Sequence, residues 1–165
     1  MSQTTQKGAI AEAAITAEAV RLGVVVLRPF PEGRRYDVVF DVDHRLYRIQ
    51  CKWGRRKDGV IIVHTGTCRH TPSGYVRTTY GSDEIDGIAV YCGDTDACYF
   101  LPIEEVAGRS VVHLRLTPAA NRQIIAIKYA SEHTLHGAIA QLGERRHGMA
   151  EVVGSSPTSS TSRPS

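Results

Sequence analysis

The sequence predicts one α+β domain, an α/β sandwich rather than a regular β-α-β alternation, and three observations lead there. An Ala-rich stretch with helical periodicity opens the chain, and short β-branched and aromatic runs then follow one another at close spacing. The 165 residues, 42% of them hydrophobic, suffice for one core of useful size.

Ala11, Ile15, Ala19 and Leu22 recur at helical spacing, with Thr4 or Thr5 as the expected cap and Gly23 where a left-handed C-terminal residue is wanted. Val24–Leu27 is β-branched and reads as a buried strand, closed by the loop from Arg28 to Gly33. Tyr36–Val42 and Leu46–Trp53 read as two strands joined by a tight turn at Asp43-His44, and Val60–His64 as a further strand. Residues 65–82 are polar, basic and rich in Gly, Thr and Tyr, and read as a loop at a binding surface. Ile85–Cys92 and Cys98–Ile103 form a pair turning at Gly93–Asp96. Val111–Leu116 is another strand, and Asn121–Ala130 a short helix. The composition then changes. Residues 154–165 hold six Ser and two Pro, and no aromatic residue follows Tyr129. Such a segment buries too little apolar surface to offset its ordering entropy, so residues 1–133 are expected to form the domain and 134–165 a disordered tail.

Composition excludes several classes. No apolar run approaches the roughly 20 residues of a membrane span, and the polar start, Met1–Lys7, does not read as a signal peptide. Four scattered cysteines do not make a disulfide scaffold and point to a reducing cytoplasm. The net charge of +3 conceals an uneven distribution. From Arg45 to Arg77 there are eight basic residues and one acid, and from Asp83 to Glu105 seven acids and no Lys or Arg. A basic stripe of this kind favours a polyanion such as nucleic acid, while a solvated face balanced by the acidic segment is the plainer alternative.

The strand pair holds the most specific pattern. Asp37 opens one strand, and Gln50-Cys51-Lys52 follows thirteen residues later near the end of the next. Alternation puts Gln50 and Lys52 on one face, with Ile49, Cys51 and Trp53 on the other; an outgoing strand, tight turn and return bring Asp37 opposite Gln50. A carboxylate, an amide oxygen and an ammonium thus converge. Hard oxygen donors suit Mg²⁺, and a neighbouring Lys suits charge building on a phosphate. Glu12, on the flank of the helix's apolar stripe, is the candidate fourth member, against the plainer reading of an exposed helix carboxylate. Zinc is weighed as well: Cys68, His70, His64 and Cys51 supply ligand types, but no C-x-x-C pair accompanies them.

Lys7-Gly8 with Glu12, the run RYDVVFDVDHRLYRIQCKW, then YGSDEIDGIAVY and CYFLPIEEV together resemble the PD-(D/E)XK nuclease superfamily, and within it the branch containing cyanobacterial group I intron homing endonucleases. The resemblance covers roughly residues 5–130. It implies a restriction-endonuclease-like core, a central mixed sheet flanked by the N-terminal helix, and Mg²⁺-dependent hydrolysis of double-stranded DNA by a homodimer or homotetramer. Its catalytic positions fall on Glu12, Asp37, Gln50 and Lys52, with Asp37, Gln50 and Glu12 as metal ligands. Tyr36 stands where the motif has Pro, and Gln50 replaces a carboxylate, which removes one negative charge from the metal site. Arg55, Arg56 and Lys57 follow as candidates to neutralise phosphates, and His64, Arg69, His70, Tyr75, Arg77 and Tyr80 as candidates to reach DNA from the loop. A charged β-turn closing at Asp58-Gly59 is the plain reading of the first group. Asp86 stands at the start of a strand, near the site by resemblance. A Holliday-junction-resolvase-like nuclease and an inactive DNA-binding protein remain as alternative functions.

The tail carries a second signal. Ala140–Glu144 back-translates as GCT CAG TTG GGA GAG, a D-arm sequence of tRNA genes, and Gly154–Pro157 as GGT TCG AGT CCC, a T-arm sequence. The two lie 14 codons, or 42 nucleotides, apart, close to the spacing of those arms. The reading frame is therefore expected to run through a tRNA gene.

Overall fold

The computed structural model describes residues 2–30, 33–117 and 127–150, and within them the side chains of all but residues 68–71, 77 and 145–150. Helix α1 (Gln3–Arg21) is capped by Ser2, whose hydroxyl accepts from the Thr5 N–H at 3.2 Å, so the cap lies earlier than the threonines suggested. Gly23 takes the left-handed conformation at φ 81°. The helix buries Ala11, Ile15 and Ala19, one turn apart, with Ile15 filling the interface and the two alanines on either side letting it lie close across the sheet.

The sheet begins with an antiparallel meander of β1 (Val25–Leu27), β2 (Val38–Val42) and β3 (Arg45–Lys57). β1 is an edge strand with Val25 and Leu27 exposed, not the buried strand its β-branched run suggests. Asp43 and His44 both adopt positive φ, 50° and 65°, the geometry that a two-residue hairpin matched to strand twist requires. β3 is the spine of the fold. Its first half pairs antiparallel with β2 and parallel with β7 (Gly87–Cys92); its last four residues pair with β4 (Val60–His64). β8 (Ala97–Pro102) adds to β7, while β9 (Val111–Arg115) and β10 (Lys128–Tyr129) extend the sheet beyond β4. A short helix α2 (Ile103–Val106) follows β8, and one 3₁₀ turn covers Ala130–His133. The short helix expected over Asn121–Ala130 is replaced by β10 and this turn in its described part; residues 121–126 lie outside the described residues.

Two apolar cores sit on opposite faces. One joins α1 to Val38, Phe40, Ile49, Cys51 and Ala89. The other gathers Ile61, Val63, Tyr80, Ile85, Ile88, Val90 and Leu114. Burying each large aliphatic or aromatic side chain contributes about 1.5–3 kcal/mol. At the seam between the halves of β3 only glycine fits: a Cβ on Gly54 would stand 2.7 Å from Ile61 Cγ2 and 2.9 Å from Val90 Cγ1.

Two expectations need correction. Residues 65–82 are not simply a loop: β5 (Thr67–Thr71) and β6 (Gly74–Thr78) form a separate antiparallel hairpin. Residues 135–150 are not a disordered segment: Leu135–Ala150 forms α3, which packs on β2 and β8 and buries Leu135 and Leu142 in the α1-side core. Those side chains supply the apolar area that the Ser-rich end of the sequence lacks. Residues 151–165 lie outside the described residues.

Candidate active site

Asp37 stands just before β2, and the register Val38↔Ile49 continues to set it against Gln50. Its N–H donates to the Ile49 carbonyl at 2.9 Å. Its Oδ2 accepts from the Cys51 N–H at 2.8 Å and from Gln50 Nε2. Gln50 is one of the few buried polar side chains, 9% exposed, and also approaches the Cys51 carbonyl at 3.4 Å. Alternation along β3 holds as expected. Ile49 and Cys51 enter the α1-side core, while Gln50 and Lys52 share the face of Ile88 and Val90.

Burial dominates the electrostatics. It pushes the Asp37 carboxyl above its usual range; the nearby Glu12 charge pushes the same way, and the Cys51 N–H, the Lys52 charge and Gln50 resist. Burial likewise lowers the Lys52 ammonium, helped by the positive Arg35 and opposed by Asp37. No ion pair joins Lys52 to Asp37 among the described residues. Instead Lys52 Nζ lies 5.4 Å from the centre of the Tyr80 ring, and the Arg35 guanidinium 4.6 Å from it. Burial thus disfavours the charged form of both groups, an acid and an amine side by side, as at many functional sites.

The donor set there suits a divalent cation. The Asp37 carboxylate is a hard oxygen donor lacking a full counter-charge, and a half-turn of the Gln50 amide exchanges Nε2 for Oε1 on the same side. Among the described residues no three or more His, Cys, Asp and Glu side chains gather as a metal-holding group, so carboxylates alone do not build the site. Glu12 is ion-paired with Arg28, its side chain 29% exposed, and its charge reaches both Asp37 and Cys51. Burial, followed by these two negative charges, drives the Cys51 thiol far above the ordinary thiol range, and its side chain packs in the α1-side core.

The other expected residues spread along the same sheet. Arg55, Arg56 and Lys57 are not a turn after the strand but the last, exposed residues of β3 itself, paired with Ile62, Ile61 and Val60. Asp58 and Gly59 close that hairpin with φ 48° and 73°. None of the three cations has an ion-pair partner among the described residues. Arg69, His70 and Arg77 fall on the β5–β6 hairpin, opposite Val76, Tyr75 and Cys68 respectively. His64 and Tyr75 are exposed, but Tyr80 is 4% exposed and cannot reach DNA: it lies beneath Lys52. Asp86 accepts from the Arg48 N–H at 2.7 Å and from its Nε at 3.0 Å. Burial alone would raise its pKa, but the bonds and charge of Arg48 together hold it below the usual carboxylate range. Asp86 thus anchors β3 to the start of β7. Arg35 and Glu84 escaped the sequence reading. Neither belongs to a spacing pattern, although Arg35 lies only two residues from Asp37.

The family model for PD-(D/E)XK endonucleases matches residues 2–136. The chain belongs to this family. As a PD-(D/E)XK endonuclease it also shares its fold with a solved structure, that of a bacterial homing endonuclease, I-Ssp6803I. The TM-score is 0.71 at 24% identity, covering 90% of this chain and 99% of that one. Among curated proteins no sequence matches. No helix among the described residues is long and apolar enough to cross a membrane.

Proposed function

We propose that this PD-(D/E)XK endonuclease hydrolyses phosphodiester bonds of double-stranded DNA at a specific site, as a Mg²⁺-dependent enzyme of homing type working in a prokaryotic cytoplasm. The observation that supports this reading is the convergence of Asp37, Gln50 and Lys52 at the mouth of the β2–β3 hairpin, on one face, in a family of nucleases.

Asp37 and Gln50 would hold the ion, with Glu12 as a third oxygen donor once released from Arg28. Bound there, Mg²⁺ supplies Lewis-acid polarisation of the phosphate and a more acidic water. Gln50 contributes a neutral oxygen, so this pair carries one negative charge rather than two. Lys52 donates toward the phosphate oxygens as negative charge grows on them, and its burial strengthens that interaction by excluding water. Arg55, Arg56 and Lys57 neutralise backbone phosphates beside the scissile bond, while Arg69, His70 and Arg77 bring the hairpin to the duplex for base reading. Cutting both strands of a duplex calls for two such centres, which the homodimer or homotetramer supplies.

The target is proposed to lie in or near a tRNA gene, because residues 140–144 and 154–157 back-translate as two tRNA arms at the right spacing and mobile nuclease genes often sit at the site they cut. Plasmids with and without such a locus are incubated with the protein, with Mg²⁺ or with a chelator. Cleavage only of the tRNA-bearing plasmid, and only with metal, is expected. Equal cutting of both plasmids removes the tRNA target. Preference for four-way junctions whatever their sequence gives the resolvase reading, and binding without nicking gives an inactive DNA-binding protein.

A further inference from the structure

We propose that Tyr80 is the positioning residue for Lys52: its buried ring, clamped by Arg35, holds the ammonium beside Asp37 but off it, so that the amine stays available to the phosphate. The inference rests on the proposed role of Lys52. Lysine is a compact charge on a long flexible stem, and next to a lone buried carboxylate its lowest-energy placement is a direct ion pair that would occupy both groups. No such pair forms, and the ammonium lies 5.4 Å from the Tyr80 ring centre. A ring face attracts a cation without neutralising it or accepting its protons, and so restrains Lys52 while leaving its donors free.

Tyr80 can do this only if it is itself immobile. It is 4% exposed and packed in the core with Ile61, Val63, Ile85 and Val90. Arg35 lies 4.6 Å from the ring and is fixed by four bonds: to Glu84 at 2.7 and 3.1 Å, to Thr67 Oγ1 at 3.3 Å and to the Thr79 carbonyl at 3.2 Å. Glu84 in turn accepts from the Gly81 N–H at 3.2 Å. Thr67 and Thr78, at the base of the β5–β6 hairpin, share a hydroxyl bond at 2.6 Å. The clamp therefore ties the ring under Lys52 to the hairpin proposed to meet DNA.

The test compares Tyr80→Phe and Tyr80→Leu in single-turnover cleavage at saturating protein, with DNA affinity measured separately without metal. Tyr80→Leu is expected to slow cleavage about 10- to 100-fold, as for a small misplacement of a reacting group, with affinity unchanged. Tyr80→Phe, which keeps the ring, restores the wild-type rate to within about twofold. Equal rates for Tyr80→Leu and wild type, equal losses in both variants, or a loss confined to DNA affinity would each overturn the proposal. A second readout needs neither cleavage nor a variant at Tyr80. In wild-type protein with ¹³C-dimethylated lysines, assigned through Lys52→Arg, the Lys52 methyl signal should be shifted upfield by the ring. A signal at the position of free dimethyl-lysine contradicts the placement. Absence of cleavage by wild type with the ring shift intact would defeat the nuclease assignment and the catalytic use of Tyr80, while leaving the contact itself established.

Discussion

The two halves of β3 are one continuous strand in two different environments. From Arg45 to Ile49 it pairs with β2 and from Ile49 to Trp53 with β7, and its Ile49 and Cys51 side chains lie in a dry core. From Gly54 to Lys57 it pairs with β4 and shows three exposed cations. The first half is suited to chemistry, because burial shifts the proton affinities of Asp37 and Lys52 and both neighbours fix their positions. The second half is suited to affinity, because solvated charges act on a polyanion without needing fixed geometry. Gly54, where no side chain fits, is the joint between them.

Predictions follow from this division, largest first. Lys52→Ala and Asp37→Ala should each lower cleavage by about 10²–10⁴-fold with DNA binding retained, measured by plasmid nicking alongside filter binding. Leu142→Ala, which opens the core beneath the buried half, should cost about 2–3 kcal/mol in denaturant unfolding. Gly54→Ala forces a methyl group against Ile61 and Val90 and should cost about 1–3 kcal/mol, read as a lowered Tm. Arg55→Ala, Arg56→Ala and Lys57→Ala should change stability by no more than about 0.5 kcal/mol. Each should flatten the dependence of log affinity on log salt by about 0.9.

The smallest effect concerns pH. Because the folded Asp37 carboxyl holds its proton more tightly than the ordinary value of 3.8, its ionised form opposes folding. That opposition is complete above the folded pKa and fades as pH falls toward the unfolded one. In metal-free buffer Asp37→Asn should therefore melt above wild type at neutral pH, and the gap should close as the solution is acidified into the carboxylate range. A constant gap across that range would contradict the buried, charge-poor description of this group.

How far the sequence discloses the molecule follows the same division. Apolar residues at every second position, Val38, Phe40 and Val42 then Tyr47, Ile49, Cys51 and Trp53, with a turn residue pair between, reveal the hairpin, its register and the shared face of Gln50 and Lys52. Gly-Arg-Arg-Lys carries no apolar alternation, so the sequence reading stops β3 at Trp53, though tertiary pairing with β4 carries it four residues further. The β5–β6 hairpin is hidden for the same reason: its strands, TCRHT and GYVRT, have no apolar face. Helix α3 is obscured by a different effect. Its Ala and Gly content gives only a shallow apolar stripe, and the Ser-rich residues after it dominate the composition of the whole segment. At the site, the motif residues are legible because spacing along one hairpin fixes them. Arg35, Glu84 and the buried placement of Tyr80 are not, because these three meet through contacts between segments 45 to 49 residues apart that no local pattern encodes.

The division between the halves is tested most directly by single-turnover cleavage at protein concentrations that saturate the DNA, comparing Lys52→Ala with Arg56→Ala. Saturation should restore the Arg56→Ala rate to that of wild type and leave Lys52→Ala slow, since one lost affinity and the other lost chemistry. Recovery of Lys52→Ala to the wild-type rate would contradict the assignment of β3's buried half to catalysis.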